Sequence, residues 1–129
     1  MINGLVLPTL SRIQKRFMDE ILSTLEKILE QRKLETAENS YVASLYSQGT
    51  NKILDKISEE SAEVIEAAKN ECKDKIIHEV ADLWFHTLVL LRHKNISVKE
   101  IETELMRRFG VSGHTEKAAR NKSVEVKSS

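Results

Sequence analysis

Between Lys73 and Lys94 the chain reads KDKIIHEVADLWFHTLVLLRHK, and this stretch limits the possible folds more than any other. Ile76, Ile77, Val80, Leu83, Trp84, Leu88, Leu90 and Leu91 recur at steps of three and four and cover most of a helical circumference. A helix apolar nearly all round is expected to lie buried among other helices. One narrow polar strip runs through it: Glu79, Asp82, His86 and, further on, His93. A membrane span is not expected, because the apolar part is shorter than the roughly 18 residues such a span needs and is interrupted by Asp82 and His86.

The rest of the chain carries the same period. Ile13, Phe17, Ile21, Leu25 and Ile28 form an apolar stripe that predicts a first helix over about Ser11 to Lys33. A polar connector over 34–40 leads to a short helix capped by Ser40 and stopped by Gly49. Thr50 is the expected cap of a long helix ending near Lys69. Ser97 and Glu100 form an S-x-x-E capping box, which opens a last helix with Val98, Ile101 and Leu105 inward and a stop at Gly110. No segment alternates with period two, so the expected fold is all-α, an antiparallel helical bundle. Residues 1–110 read as a single domain with an N-terminal helix extension, and 111–129 as a polar, partly disordered tail.

Lys+Arg and Asp+Glu number 20 each among 129 residues, so the chain has no net charge and is not expected to coat nucleic acid. Cys72 is the lone cysteine, set among charged residues, and reads as a surface thiol in a reducing compartment. The opening MINGLVLPTL lacks the basic region and length of a secretory signal. A cytoplasmic protein is expected.

Against this background KISEESAEVIEAAKN, Lys56 to Asn70, is anomalous: Glu59, Glu60, Glu63 and Glu66 crowd a single helix, where like charges repel. Ile53, Ile57, Val64 and Ala68 share one face there, widened by Leu54 and Ile65. At about 100° per residue Glu60 falls at the edge of that face and Glu63 about 60° further round, while Glu66 turns toward solvent. Glu60/Glu63 and Glu79/Asp82 are thus two pairs at i and i+3 on consecutive helices. Buried-edge carboxylates are costly without a positive partner. Four of them round one point suit a hard divalent cation, Mg²⁺ by default with Mn²⁺ as substitute, and phosphate oxygens as further ligands. Lys52 and Lys56, on the flank beside Glu59, fit a phosphorylated substrate. The plainer account of Glu59 to Glu66 alone is a solvated face, but it does not extend to Glu79 and Asp82 inside the most apolar helix. A di-iron bundle would need E-x-x-H on two helices, which is missing here.

Glu59-Glu60-Ser61-Ala62-Glu63 followed by Glu79-Val80-Ala81-Asp82 resembles the E-E-x-x-E … E-x-x-D pattern of the MazG-like all-α nucleotide pyrophosphohydrolases. The flanks SYVASLYSQGTNKILDKISEESAEVIEAAKN and IIHEVADLWFHTLVLL look like the phosphoribosyl-ATP pyrophosphohydrolase family, through Ser40-Tyr41, Leu45, Gly49, Lys52-Ile53, Lys56, HEVADL and His86. The likeness covers about residues 18 to 108, with Ser58 where the family usually has glycine. It implies hydrolysis of phosphoribosyl-ATP to phosphoribosyl-AMP and pyrophosphate, the second step of histidine biosynthesis, by a MazG-like bundle completed as a homodimer or higher oligomer. Glu60, Glu63, Glu79 and Asp82 would hold Mg²⁺, Glu59 would hold a second ion through water or accept a proton, and Lys52, Lys56, Tyr41 and His86 would meet the substrate. A house-cleaning nucleoside triphosphate pyrophosphohydrolase of the same superfamily is the alternative, and a non-catalytic helical binding module is the alternative of another class.

Overall fold

The computed structural model describes Arg12 and residues 20–109, and in them only helices and turns occur. Helix α1 is Ile21–Gln31, followed by a 3₁₀ turn over Arg32–Leu34; α2 is Tyr41–Gln48, α3 Thr50–Lys69, α4 Lys73–His93 and α5 Val98–Phe109. The all-α expectation holds. Of the helix expected over Ser11 to Lys33, α1 begins at Ile21, after a turn at Glu20, and tightens to 3₁₀ after Gln31. Ile13, Phe17, Gly110 and the polar tail lie outside the described residues.

Backbone chemistry places the joints. Ser40 caps α2, its Oγ accepting from the Ala43 amide at 3.2 Å. Gly49 then serves both neighbouring helices: its amide donates to the Leu45 carbonyl, and its own carbonyl receives the Ile53 amide. Its φ of 92° and ψ of −176° are accessible essentially only to glycine. Gly49 is therefore the N-cap of α3, and Thr50, the expected cap, is its first helical residue. The α3–α4 turn is a Schellman motif: Glu71 sits at φ 52°, its amide reaches Ala68 O, and the Cys72 amide reaches Ala67 O. The same motif ends α4, with Asn95 at φ 58° and the Ile96 amide on Leu91 O. The expected Ser97/Glu100 box opens α5, Ser97 N donating to Glu100 Oε2 at 2.7 Å and Glu100 N to Ser97 Oγ at 3.2 Å.

With so short a turn, α3 and α4 form an antiparallel hairpin; α1 packs on α4, α2 on α3 and α5 against α1, closing one bundle. Leu29, Leu45, Ile53 and Val89 are its least accessible side chains. The stripe on α1 is rotated from the expected one: Leu29 is buried and Leu22 and Leu25 pack beside it, while Ile21 and Ile28 are exposed. On α3 the buried positions are Ile53, Glu60 and Ala67, spaced seven apart; Ala68, expected inside, is exposed. Helix α4 is not enclosed on all sides, since Ile77 is 58% and Trp84 59% exposed. On α5 only Val98 is buried; Ile101 and Leu105, expected inward, line an open apolar groove with Trp84 and Leu91.

A polar clamp holds this end of the bundle. Arg92 reaches Glu26 and Glu30 on α1, each at 3.3 Å, and donates to Ile96 O at 2.6 Å. Glu26 also accepts from the Val98 amide, satisfying an otherwise free donor at the start of α5.

Candidate active site

In an antiparallel hairpin, residues equally far from the turn face each other. Glu63 is therefore set against Glu79, and Glu60 against Asp82 and His86. One carboxylate oxygen from each of Glu60, Glu63 and Glu79 lies within 4.8 Å of the other two. Glu60 stands in the buried seam itself, at 8% exposure, rather than at its edge as the sequence suggested. Glu60 Oε2 and Glu79 Oε2 are buried with no hydrogen-bond partner. Ionised carboxylates have no donor to offer one another, so only a shared proton or a cation can relieve this group.

The acidities reflect that conflict. Burial first, then Glu63 and Asp82, push Glu60 up to about 7. Glu79 is also raised, chiefly through its contact with Glu63 and then by burial. Glu63 moves the opposite way, because Glu79 and Glu60 stabilise its charged form by hydrogen bonds. Three oxygen donors around a buried, unsatisfied focus fit a hard divalent cation in charge and donor type.

Asp82 does not complete a four-carboxylate cage. It forms a neighbouring group with Glu79 and His78, again with ligand atoms within 4.8 Å, and its Oδ2 lies 3.3 Å from His78 Nε2. Sequence reasoning gave His78 no role, although its i,i+4 spacing to Asp82 was visible. Glu59 is outside the trio and pairs with Lys56 at 3.3 Å, which raises the Lys56 ammonium above its ordinary value. Among the described residues Lys52 has no ion-pair partner, and Glu66 is exposed, accepting from Asn70. Of the remaining histidines, His93 stacks on Tyr46, with ring centroids 5.9 Å apart, and His114 lies outside the described residues.

Tyr41 and His86 are brought together across the bundle. His86 is buried and its Nδ1 lies 2.9 Å from the carbonyl of Asp82; a carbonyl only accepts, so Nδ1 carries a proton. In the neutral ring Nε2 then accepts from the Tyr41 hydroxyl at 2.8 Å. Glu60 Oε1 is 3.9 Å from the His86 Nδ1. Burial, assisted by Glu60 and Glu59 against Lys56, raises the Tyr41 phenol, so it stays a donor at neutral pH. Half-exposed, Tyr41 also rims a cavity of about 350 Å³ floored by Leu25, Leu29, Val42 and Phe85. That places a recess one side chain away from the carboxylates.

Fold and site together define a class: helical proteins that gather carboxylates from both arms of one hairpin into an acidic centre. Residues 22–109 match the family model described as phosphoribosyl-ATP pyrophosphohydrolase. A phosphoribosyl-ATP pyrophosphatase of Vesicomyosocius okutanii is 67% identical over 104 residues, covering 81% of this chain and 99% of that protein. Proteins of the same name from Ruthia magnifica and Hydrogenovibrio crunogenus are 64% and 53% identical, each over 81% of this chain and over 99% and 96% of their own lengths. The chain belongs to the phosphoribosyl-ATP pyrophosphohydrolase family.

Proposed function

We propose that this chain hydrolyses the α–β phosphoanhydride bond of phosphoribosyl-ATP, giving phosphoribosyl-AMP and pyrophosphate, the second step of histidine biosynthesis. The observation that carries the chemistry is the buried, unpartnered pair Glu60 Oε2 and Glu79 Oε2 beside Glu63. Family membership supplies the substrate. Glu60, Glu63 and Glu79 would hold Mg²⁺, or Mn²⁺ in its place, with Asp82 one turn along α4. Bound there, the ion would neutralise phosphate charge and acidify a water for attack on phosphorus.

The protein's own groups do the rest. Glu59, exposed, outside the trio and paired with Lys56, is the carboxylate we assign to take the proton from an attacking water. Lys56, fixed by Glu59, presents its ammonium on the same rim, and Lys52 one turn earlier adds a second positive charge for the triphosphate. Tyr41, locked by His86, offers its hydroxyl oxygen to the substrate at the mouth of the recess.

The active unit is at least a dimer in this reading. Ile77 and Trp84 on α4 and Leu54 and Ile65 on α3 leave large apolar side chains uncovered on both arms of the hairpin. No helix among the described residues is long and apolar enough to cross a membrane, and the exposed Cys72 thiol suits the reducing cytoplasm in which we place the reaction. The test is pyrophosphate release with Mg²⁺ from phosphoribosyl-ATP, set against ordinary nucleoside triphosphates. Equal turnover of the panel would refute the substrate; no release from any would refute the chemistry.

A further inference from the structure

The recess rimmed by Tyr41, at about 350 Å³, falls within the size range of small-ligand sites. Leu25, Leu29, Val42 and Phe85 give it an apolar floor with one aromatic ring, a surface suited to a base. It is linked to the acidic centre, since the Tyr41 hydroxyl meets His86 Nε2 at 2.8 Å and Glu60 Oε1 lies 3.9 Å from His86 Nδ1. Among the described residues that line the recess, Arg32 alone is charged. It stands in the 3₁₀ turn after α1, and its Nη1 donates to Glu35 Oε1 at 2.6 Å. Both side chains are partly open to solvent, at 43% and 37%, and ion pairs so exposed add little to stability. Glu35 does not line the recess. The pair occupies one terminal nitrogen of the guanidinium. Its Nε and Nη2, which form one edge of the fork, have no partner among the described residues. Such an edge is preorganised to take a phosphate through two parallel hydrogen bonds.

We propose that the recess seats the base of phosphoribosyl-ATP and that Arg32 binds the phosphate of its phosphoribosyl group, which makes Arg32 the residue that tells this substrate from ATP. This rests on the hydrolase reading given above. Phosphoribosyl-ATP differs from ATP by a sugar phosphate carried on the base, so a base held in the recess brings a second anionic group to its wall. Lys52 and Lys56, on the flank of the carboxylates, serve the triphosphate, and Arg32 is the cation at the other end of the substrate.

Steady-state pyrophosphate release by the full-length chain with Mg²⁺ separates the two members of the ion pair. Arg32→Gln should raise KM for phosphoribosyl-ATP by roughly 10- to 100-fold with kcat unchanged, the mark of a contact made equally in ground and transition states. Its affinity for ATP, read as competitive inhibition, should not change, because ATP has no phosphoribosyl phosphate. Glu35→Gln breaks the same pair but keeps the guanidinium, so KM should stay the same or fall. An unchanged KM in Arg32→Gln, a matching rise in Glu35→Gln, or an equal loss of affinity for ATP would overturn the assignment while the hydrolase reading stands. A wild type that releases no pyrophosphate from phosphoribosyl-ATP would refute the hydrolase reading itself, and the role of Arg32 with it.

Discussion

Glu60 lies in the buried seam of the hairpin, yet it is an acid facing two others, so replacing it should stabilise the metal-free protein. Its acidity is shifted from 4.5 to about 7, with burial as the first cause. Raised above its unfolded value, the carboxyl adds nothing unfavourable below about pH 4.5, where it is neutral in both states, and costs stability progressively as pH rises through 7. A rise of that size is worth on the order of 3 kcal/mol. Glu63, held down by the same contacts, returns part of it, so the net effect should be about 1–3 kcal/mol. Glu60→Gln keeps the shape, carries no charge and gives Glu63 and Glu79 a donor. The metal-free variant should therefore exceed wild type in stability above pH 7 by that amount, with the gain vanishing near pH 4.5. Urea unfolding at fixed protein concentration between pH 4.5 and 8.5, in chelator, reads it directly; the concentration is fixed because oligomerisation contributes to apparent stability. Saturating Mg²⁺ should then raise wild type more than the variant. A variant no more stable than wild type at pH 8, or a gain that persists undiminished at pH 4.5, would refute the reasoning.

Glu63→Gln or Asp82→Asn should abolish pyrophosphate release while leaving the circular dichroism spectrum intact; normal turnover by either would remove these carboxylates from the chemistry. Light scattering at micromolar concentration should give at least a dimer for wild type and a smaller species for Trp84→Lys, whereas a monomeric wild type would rule out the proposed interface. Glu71→Gly should stabilise the protein by about 0.5–1 kcal/mol, because Glu71 holds a left-handed conformation in the α3–α4 turn, and chemical denaturation checks it.

Secondary structure was legible here because it is written in local signals: Ser40, Gly49 and the Ser97/Glu100 box each act within four residues of themselves. What a periodic stripe does not fix is its phase. On α1 the sets Ile21–Leu25–Ile28 and Leu22–Leu25–Leu29 both satisfy a helical period, and which one is buried depends on where α2 and α4 approach. The same freedom hid the true position of Glu60. Read as one apolar face, α3 put Glu60 at the margin; packed against α4, its contact line follows the seven-residue spacing of Ile53, Glu60 and Ala67, and the acid falls in the middle. The apolar circumference of α4 likewise signalled burial that a single chain leaves incomplete at Ile77 and Trp84. Pairings across the chain were out of reach for a different reason: Tyr41 and His86 are 45 positions apart and no pattern joins them. The acidic residues themselves were readable because they violate local expectation, with like charges repeated at i,i+3 beside apolar positions. A site built from side chains that the bare fold disfavours announces itself in sequence, but its geometry does not. The Asp82–His78 pair is an i,i+4 contact within α4, but the hairpin phase decides that Glu79 faces Glu60 and Glu63, and that phase is set by packing of the whole bundle.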